Sequence, residues 1–206
     1  MQGGATKRLL VASRNPGKVA EIRQLLADYA VEAIGLEDLD IAPDLAEPYD
    51  TFADNARHKA LQLAEATGMA ALADDSGLEV EALGGRPGVY SSRYGEDDSR
   101  RIERLLAELA AVPDDRRSAR FVCVIALVYQ GQVEGLWEGE CQGIILRQPR
   151  GEAGFGYDPV FYYPPLDCTF AEMSTEQKNR VSHRGRALQA MLEVLRDGHL
   201  LGRSLR

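Results

Sequence analysis

The stretch RLLVASRNPGKVAEI at residues 8–22 decides the fold class of this chain. Its first residues, Arg8–Ala12, are mostly apolar and have the length of one buried strand. A polar turn follows, and Pro16 is favoured at the first position of a helix. The residues after Pro16 carry apolar side chains at helical spacing. A strand, a short turn and a helix in this order indicate an α/β protein.

Apolar strands and amphipathic helices alternate along the rest of the chain, which predicts one α/β domain over residues 1–206. The acidic, proline-containing stretch 36–49 is predicted to be a loop. The further predicted strands cover residues 31–35, 70–73, 120–129 and 133–146, and residues 78–82 could continue the strand at 70–73. The further predicted helices cover residues 51–67, a segment capped by Asp97 or Asp98, residues 175–180 and a last helix after Ser182.

Composition limits the classes of function. The 206 residues are 45% hydrophobic and 27% charged, which is typical of a globular protein. The formal net charge of -8 argues against a nucleic-acid polymer as partner, because RNA- and DNA-binding domains usually carry a basic face. Three cysteines without CxxC spacing indicate reduced thiols. No secretory signal or membrane-length apolar run is visible, which predicts a cytoplasmic protein without a membrane partner.

The turn after the first strand is the first of five segments that could carry chemistry. It contains Ser13, Arg14, Asn15, Pro16, Gly17 and Lys18. Backbone N–H groups at the start of a helix attract anionic oxygen, and a lysine adds positive charge. The segment is not a P-loop, because Ala12 and Val19 stand where that motif needs Gly and Ser or Thr. A phosphate cradle and a plain turn both remain open.

Two further segments combine acidic and basic groups. In the predicted helix after Glu47, Asn55 and Lys59 are four residues apart and share a face, which suits either one ligand or solvent. Asp74 and Asp75 follow an apolar strand and precede Ser76. Carboxylates at the end of a strand are suitable ligands for Mg²⁺, although Asp, Ser and Gly also favour an ordinary turn.

The last two segments offer aromatic and cationic groups. GFGYDP at residues 154–159 places Phe155 between two glycines, which permits close backbone approach and stacking on a ring. The alternative is a glycine-rich hairpin whose aromatic side chains enter the core. Lys178 and the stretch SHRGR at 182–186 concentrate hydrogen-bond donors at the start of the last helix.

Together the segments resemble the family of noncanonical purine nucleoside triphosphate pyrophosphatases. The similar stretches run in the family's order from Ser13 to Leu188: SRNPGKVAEI, TFADNARHKA, ADDSGLEVEALGGRPGVYSSRY, GFGYDPVF, TFAEM and EQKNRVSHRGRAL. Two positions differ from the family pattern. Pro48, Tyr49 and Asp50 follow Glu47 where the family usually has Thr-Gly, and Asp54 replaces the usual Glu.

The resemblance implies a fold and a set of site residues. The fold is α/β, with an elongated mixed β-sheet flanked by helices, two lobes and a nucleotide cleft between them, and members are usually homodimers. Asp75 would accept the proton of the attacking water, and Glu47, Asp75 and Asp74 would hold Mg²⁺. The residues expected to bind substrate are Ser13, Arg14, Asn15, Pro16, Gly17, Lys18, Asn55, Lys59, Ser76, Phe155, Gly156, Tyr157, Asp158, Lys178, His183 and Arg184.

The implied reaction is hydrolysis of the triphosphates of inosine, deoxyinosine or xanthosine to the monophosphate and pyrophosphate. His183 and Arg184 would donate to the 6-keto oxygen, which adenine lacks. Two alternatives remain open. One is a pyrophosphatase for modified pyrimidine nucleotides, which the SHR segment disfavours, and the other is a nucleotide sensor without catalysis.

Overall fold

The computed structural model describes residues 7–29, 31–39 and 45–196 of the chain, without the side chains of Lys7, Leu195 and Arg196. The strands are β1 Lys7–Val11, β2 Val31–Ile34, β3 Ala71–Val80, β4 Ser118–Tyr129, β5 Gln132–Ile145, β6 Phe161–Tyr163 and β7 Cys168–Thr169. The α-helices are α1 Pro16–Leu26, α2 Phe52–Thr67, α3 Asp98–Glu108, α4 Thr175–Val181 and α5 His183–Arg196. The predicted α/β alternation is confirmed.

The strands form one seven-stranded sheet in the order β2-β1-β3-β4-β5-β6-β7. Strand β1 pairs in parallel with β2 and β3, whereas β6 pairs antiparallel with β5 and β7. The sheet is therefore mixed, as predicted. No helix among the residues the structure describes is long and apolar enough to cross a membrane.

The chain divides into two compact units. The first contains Met1–Asp75, Val124–Gly139 and Gly185–Arg206, and the second contains Ser76–Cys123 and Glu140–Arg184. In the first unit, the buried side chains of Leu10, Ile22 and Leu63 represent the contributions of β1, α1 and α2 to the core. The core of the second unit includes Leu78, Leu105, Phe121, Phe161 and Phe170.

Helix ends follow the local sequence. Asn15 caps α1 directly before Pro16, and Thr51 caps α2 through a bond from the amide of Asp54. Gly68 ends α2 in the left-handed conformation that glycine adopts without strain. Asp97, one of the two predicted caps, begins α3.

Two predictions about connections need correction. The strand predicted to stop at Ala73 continues through Asp74 and Asp75 to Val80, because both carboxylates are buried and paired with lysines rather than turned into solvent. The loop predicted for residues 36–49 contains a short 3-10 helix at Leu36–Asp38. Residues 40–44 of that loop lie outside the described part of the chain.

Candidate active site

Acidic and basic groups meet in the first unit around the ammonium of Lys59. Its Nζ donates to Glu47 Oε1 at 2.7 Å, to Asp75 Oδ1 at 2.9 Å and to the backbone oxygen of Asp74 at 2.9 Å. Lys18 Nζ lies 2.5 Å from Asp74 Oδ1. We call these five residues the carboxylate–lysine cluster.

The secondary structure explains how the cluster forms. Successive side chains of a strand point to opposite faces, so Asp74 and Asp75 on β3 meet lysines from different helices. Lys18 belongs to the first turn of α1 and pairs with Asp74, whereas Lys59 lies on α2 and pairs with Asp75. Long apolar stems let both lysines reach inward while the adjacent helical residues pack on the sheet.

Asn55 holds the segment that carries Glu47. Its Oδ1 accepts a hydrogen bond from the amide of Tyr49 at 2.9 Å, and its Nδ2 donates to the oxygen of Tyr49 at 3.0 Å. The predicted shared face of Asn55 and Lys59 therefore exists, and both residues are buried. Asn55, however, uses both ends of its amide on the chain itself, so its contact with a nucleotide stays a prediction.

Burial and charge shift the pKa values within the cluster. Burial raises the pKa of Asp75 to about 6, against the opposing effect of the Lys59 and Lys18 ammonium groups. Burial also acts to raise the pKa of Glu47, but Lys59 outweighs it and the pKa is lowered. For Lys59, burial is outweighed by Asp75 and Glu47, so its pKa is raised. Lys59 thus stays protonated, and of the two carboxyls that it bridges, Asp75 titrates nearer to neutral pH than Glu47.

The carboxylates present fit a hard divalent cation. Oδ2 of Asp75 is buried, and no described group donates a hydrogen bond to it. Two ammonium groups face three carboxylates, which leaves the cluster formally negative when all are ionised. Within the described residues, no group of three or more His, Cys, Asp or Glu side chains forms a metal cage. Mg²⁺ commonly takes only one or two carboxylates and completes its shell with waters and substrate phosphates, so Glu47 and Asp75 suffice.

The turn between β1 and α1 already satisfies part of its own backbone. Oδ1 of Asn15 accepts from the amides of Gly17 at 2.9 Å and Lys18 at 3.2 Å, and Ser13 Oγ accepts from the amide of Asn15 at 3.2 Å. Phosphate could bind the Gly17 and Lys18 amides only by displacing the Asn15 side chain. Binding by this segment stays a prediction. Arg14 and Pro16 are exposed in it.

The second unit contains a separate group of side chains that includes the donors Lys178, His183 and Arg184. We call it the donor cluster, and its members are Ser76, Phe155, Asp158, Lys178, His183 and Arg184. Lys178 Nζ donates to Asp158 Oδ2 at 2.5 Å and lies 4.6 Å from the centre of the Phe155 ring. Arg184 donates from Nη2 to Ser76 Oγ at 3.1 Å, and its guanidinium lies 5.7 Å from the same ring centre. Two cations therefore approach one aromatic ring.

His183 is held by stacking. Its imidazole lies on Phe121 with 4.6 Å between ring centres and 10° between planes. Both His183 and Arg184 are almost completely buried, at 4% and 2% exposure. A solvent-exposed helix start would leave these side chains open to water. Their burial instead fixes the positions of their donors.

Comparisons with known proteins show which family the chain belongs to. The sequence profile of the Ham1 family matches residues 9–194. The chain belongs to the Ham1 family. The family that the motifs predict is thus confirmed.

Relatives within the Ham1 family match over nearly their whole length. A protein from Gloeobacter violaceus named dITP/XTP pyrophosphatase is 53% identical over 188 residues, covering 89% of this chain and 92% of the relative. One of the same name from Yersinia pseudotuberculosis is 47% identical over 198 residues, covering 93% and 99%. A solved HAM1 protein structure from Coxiella burnetii has a TM-score of 0.83 at 43% identity, covering 93% of this chain and 99% of that one.

The structure brings some of the predicted site residues of this Ham1 chain together, in two groups. Lys18, Glu47, Lys59, Asp74 and Asp75 are brought together by direct ion pairs and hydrogen bonds. Six of the predicted residues of the second unit form the donor cluster, whereas the amide of Gly156 donates to Asp98 and the buried Tyr157 donates to the oxygen of Ser91 at 2.9 Å. Its burial supports a role in the core of the unit.

Sequence reasoning missed two residues that support the donor cluster. Phe121 lies in an apolar strand pattern, and nothing in that pattern distinguishes a ring that stacks on His183 from an ordinary core residue. The sequence identifies Asp98 only as a possible helix cap, yet its Oδ2 accepts from the amide of Gly156 at 2.6 Å. Both contacts join residues more than 50 positions apart in sequence.

Proposed function

We propose that this Ham1-family chain hydrolyses noncanonical purine nucleoside triphosphates, those of inosine, deoxyinosine and xanthosine, to the monophosphate and pyrophosphate. The observation that carries the proposal is Lys59 bridging Glu47 and Asp75 beside the Lys18–Asp74 pair. This arrangement supplies carboxylates for a cation and ammonium groups for phosphates. The names and high identity of the relatives support the same activity.

The reaction would use Mg²⁺ held by Glu47 and Asp75, with Asp74 nearby. When bound, the cation would neutralise phosphate charge and polarise a phosphoryl oxygen. The formally negative balance of the cluster supports this requirement, because a triphosphate would otherwise meet net repulsion. The ammonium groups of Lys18 and Lys59 are bonded to carboxylates in this structure. When the cation and the triphosphate bind, these groups would shift their contacts towards phosphate oxygens.

Asp75 is the candidate proton acceptor. A general base works best when its pKa lies near the operating pH, and the pKa of Asp75 is raised to about 6 by burial. Water would attack a phosphorus atom as its proton passes to Asp75, and the bond to the departing phosphate oxygen would break. Lys18 and Lys59 would stabilise the charge on the phosphate oxygens, which is the main demand of phosphoryl transfer.

Base recognition is assigned to the donor cluster. His183 and Arg184 would donate to the 6-keto oxygen of hypoxanthine or xanthine, and the Phe155 ring would stack on the base. Adenine presents an amino donor at that position, so it would leave buried donors facing a donor. Sites that hydrogen-bond a substrate group can reject analogues lacking it by about 10⁴–10⁵. The fixed, buried positions of His183 and Arg184 support this assignment.

Further parts of the proposal rest on the resemblance to the family. The chain would act as one pyrophosphatase domain of two lobes, assemble as a homodimer and work in the cytoplasm, where nucleoside triphosphates are used. Light scattering on the purified chain tests the dimer. A mass of one chain at micromolar concentration would contradict it.

A substrate panel tests the function. Pyrophosphate release is measured with Mg²⁺ and with EDTA for inosine, deoxyinosine, xanthosine, adenosine and guanosine triphosphates, and for modified pyrimidine triphosphates, with the nucleotide product identified. We expect Mg²⁺-dependent release of pyrophosphate and monophosphate, fastest for the deaminated purines. Preference for pyrimidines would support a pyrophosphatase for modified pyrimidine nucleotides. Tight binding without turnover would indicate a sensor. Carrying out the reaction in ¹⁸O-labelled water shows which phosphorus is attacked.

A further inference from the structure

The loop that carries Phe155 depends on contacts outside itself. Gly154 and Gly156 have φ values of +80° and +62°, which other residues adopt with strain. At Gly154, the place of a side-chain Cβ is already filled by the carboxylate of Asp158. The same carboxylate accepts from the amide of Phe155 at 2.9 Å. The loop is therefore closed tightly around Asp158, whereas the amide of Gly156 bonds to a residue outside the loop.

The amide of Gly156 is held by α3. Gly156 N donates to Oδ2 of Asp98 at 2.6 Å, across 58 residues of sequence. Arg101 Nη1 bonds to the other oxygen of Asp98 at 2.5 Å, and Arg101 Nε donates to the oxygen of Gly95 at 3.2 Å. Arg101, which lies in the same helix, thus fixes the carboxylate of Asp98 that accepts from Gly156.

A second bond ties the same loop to the segment before α3. The hydroxyl of Tyr157 donates to the oxygen of Ser91 at 2.9 Å in a buried position. Ser91 Oγ accepts from the amide of Leu78 at 2.8 Å and donates to the oxygen of Gly88 at 2.6 Å. Of two consecutive loop residues, Gly156 is therefore bonded to Asp98 and Tyr157 to Ser91.

We propose that Asp98 is a positioning residue for recognition of the purine base. By holding the Gly156 amide, it fixes the backbone next to Phe155 and keeps that ring beside the cations of Lys178 and Arg184. Asp98 does not act on the reacting atoms, so its loss weakens substrate binding and leaves the chemical step unchanged. The proposal rests on the function proposed above, in which Phe155 stacks on the base.

The neighbouring residue provides a matched control. Asp97 caps α3 by accepting from the amide of Arg100 at 2.8 Å, and it makes no bond to the Phe155 loop among the described contacts. If Asp98 served only as an acidic residue in the first turn of α3, Asp97→Ala and Asp98→Ala would have similar effects. Asp98→Asn is the conservative variant, because its amide oxygen can still accept from Gly156.

The test combines amide hydrogen exchange of nucleotide-free protein with kinetics on inosine triphosphate. In Asp98→Ala, we expect the Gly156 amide to exchange about tenfold faster or more and KM to rise about tenfold, because a hydrogen bond to a charged group is lost. We expect kcat to stay within about twofold of the wild-type value. Asp98→Asn keeps an acceptor for Gly156 but loses the oxygen that pairs with Arg101, so its Gly156 protection and KM should lie between those of the wild type and Asp98→Ala. Asp97→Ala should melt at a lower temperature than the wild type, but it should keep the wild-type protection of the Gly156 amide and the wild-type KM.

Four results would overturn the proposal. The first is a Gly156 amide in the wild type that exchanges as fast as an unstructured one. The second is unchanged protection of that amide in Asp98→Ala, and the third is lost protection in Asp98→Ala with unchanged KM. The fourth is a rise in KM with Asp97→Ala that matches that of Asp98→Ala. The first needs no variant, so it decides even if Asp98→Ala does not fold. Absence of hydrolysis by the wild type overturns the proposed function, whereas the exchange measurement contains no nucleotide and tests the loop contact alone.

Discussion

The ammonium of Lys59 donates to Oδ1 of Asp75 at 2.9 Å, while Oδ2 of the same carboxylate is buried without a described donor. One oxygen of Asp75 is therefore committed to a cation of the chain. The other has the properties of a ligand for a metal ion or an acceptor for a proton. Burial raises the pKa of this carboxyl to about 6 despite the lysine, so its ionised form is costly in the ligand-free protein.

Removing this charge is expected to change how stability depends on pH. Because the pKa of folded Asp75 lies above its ordinary value of 3.8, its contribution is present at low pH and is lost as pH rises through about 6. Between pH 5 and pH 7.5 the wild type should lose about 1 kcal/mol that Asp75→Asn keeps. Urea unfolding with EDTA measures this. Glu65→Gln, which removes an exposed carboxylate, is the control. An equal pH response of wild type and Asp75→Asn would contradict a raised pKa of Asp75.

Removing the bridging ammonium should destabilise the metal-free protein. In Lys59→Met, the carboxylates of Glu47 and Asp75 lose their shared cation in a buried position, which typically costs about 3–5 kcal/mol. Mg²⁺ should recover more stability in this variant than in the wild type, because it replaces the missing positive charge. Thermal melting with and without Mg²⁺ measures both effects. A Mg²⁺ response no larger than that of the wild type would argue against a metal at these carboxylates.

Asn55 should matter through Glu47. Asn55→Ala removes both hydrogen bonds to the backbone of Tyr49 and should cost about 1–3 kcal/mol of folding free energy. It should also weaken Mg²⁺ binding, measured by titration calorimetry, because the segment of Glu47 loses its support. Thr51→Ala removes the cap of the same helix and should lower stability without that effect. Equal Mg²⁺ affinity in all three proteins would limit Asn55 to a structural role.

His183 should affect substrates unequally. His183→Ala removes a donor proposed for the 6-keto oxygen, so kcat/KM should fall about tenfold or more for inosine triphosphate and less for adenosine triphosphate. His183→Asn keeps a donor and should retain part of the preference. Steady-state kinetics on both nucleotides decide the point, and an equal loss for the two would remove His183 from base recognition.

Most of the helices and strands could be predicted from local patterns. Asn15, Thr51 and Gly68 mark helix ends through capping chemistry that neighbouring residues reveal. The strand through Asp74 and Asp75 could not be predicted in this way, because Asp, Ser and Gly favour turns unless distant partners are known. Those partners, Lys18 and Lys59, come from two separate helices.

The candidate site was predictable in its members and less so in its contacts. Helical spacing placed Asn55 and Lys59 on one face, but only the fold shows that Asn55 bonds to Tyr49 while Lys59 takes the carboxylates. The roles of Phe121 and Asp98 depend on packing across more than 50 residues of sequence. Such contacts leave no periodic pattern in a single sequence.

We propose above that Asp75 accepts a proton at a metal-dependent phosphoryl-transfer site. The most direct measurement compares wild type and Asp75→Asn in Mg²⁺, recording turnover of inosine triphosphate together with its equilibrium dissociation constant. In Asp75→Asn we expect turnover to fall by about 10²–10⁴-fold or more while nucleotide binding is largely kept. A loss of binding in proportion to the loss of rate, or turnover close to that of the wild type, would contradict it.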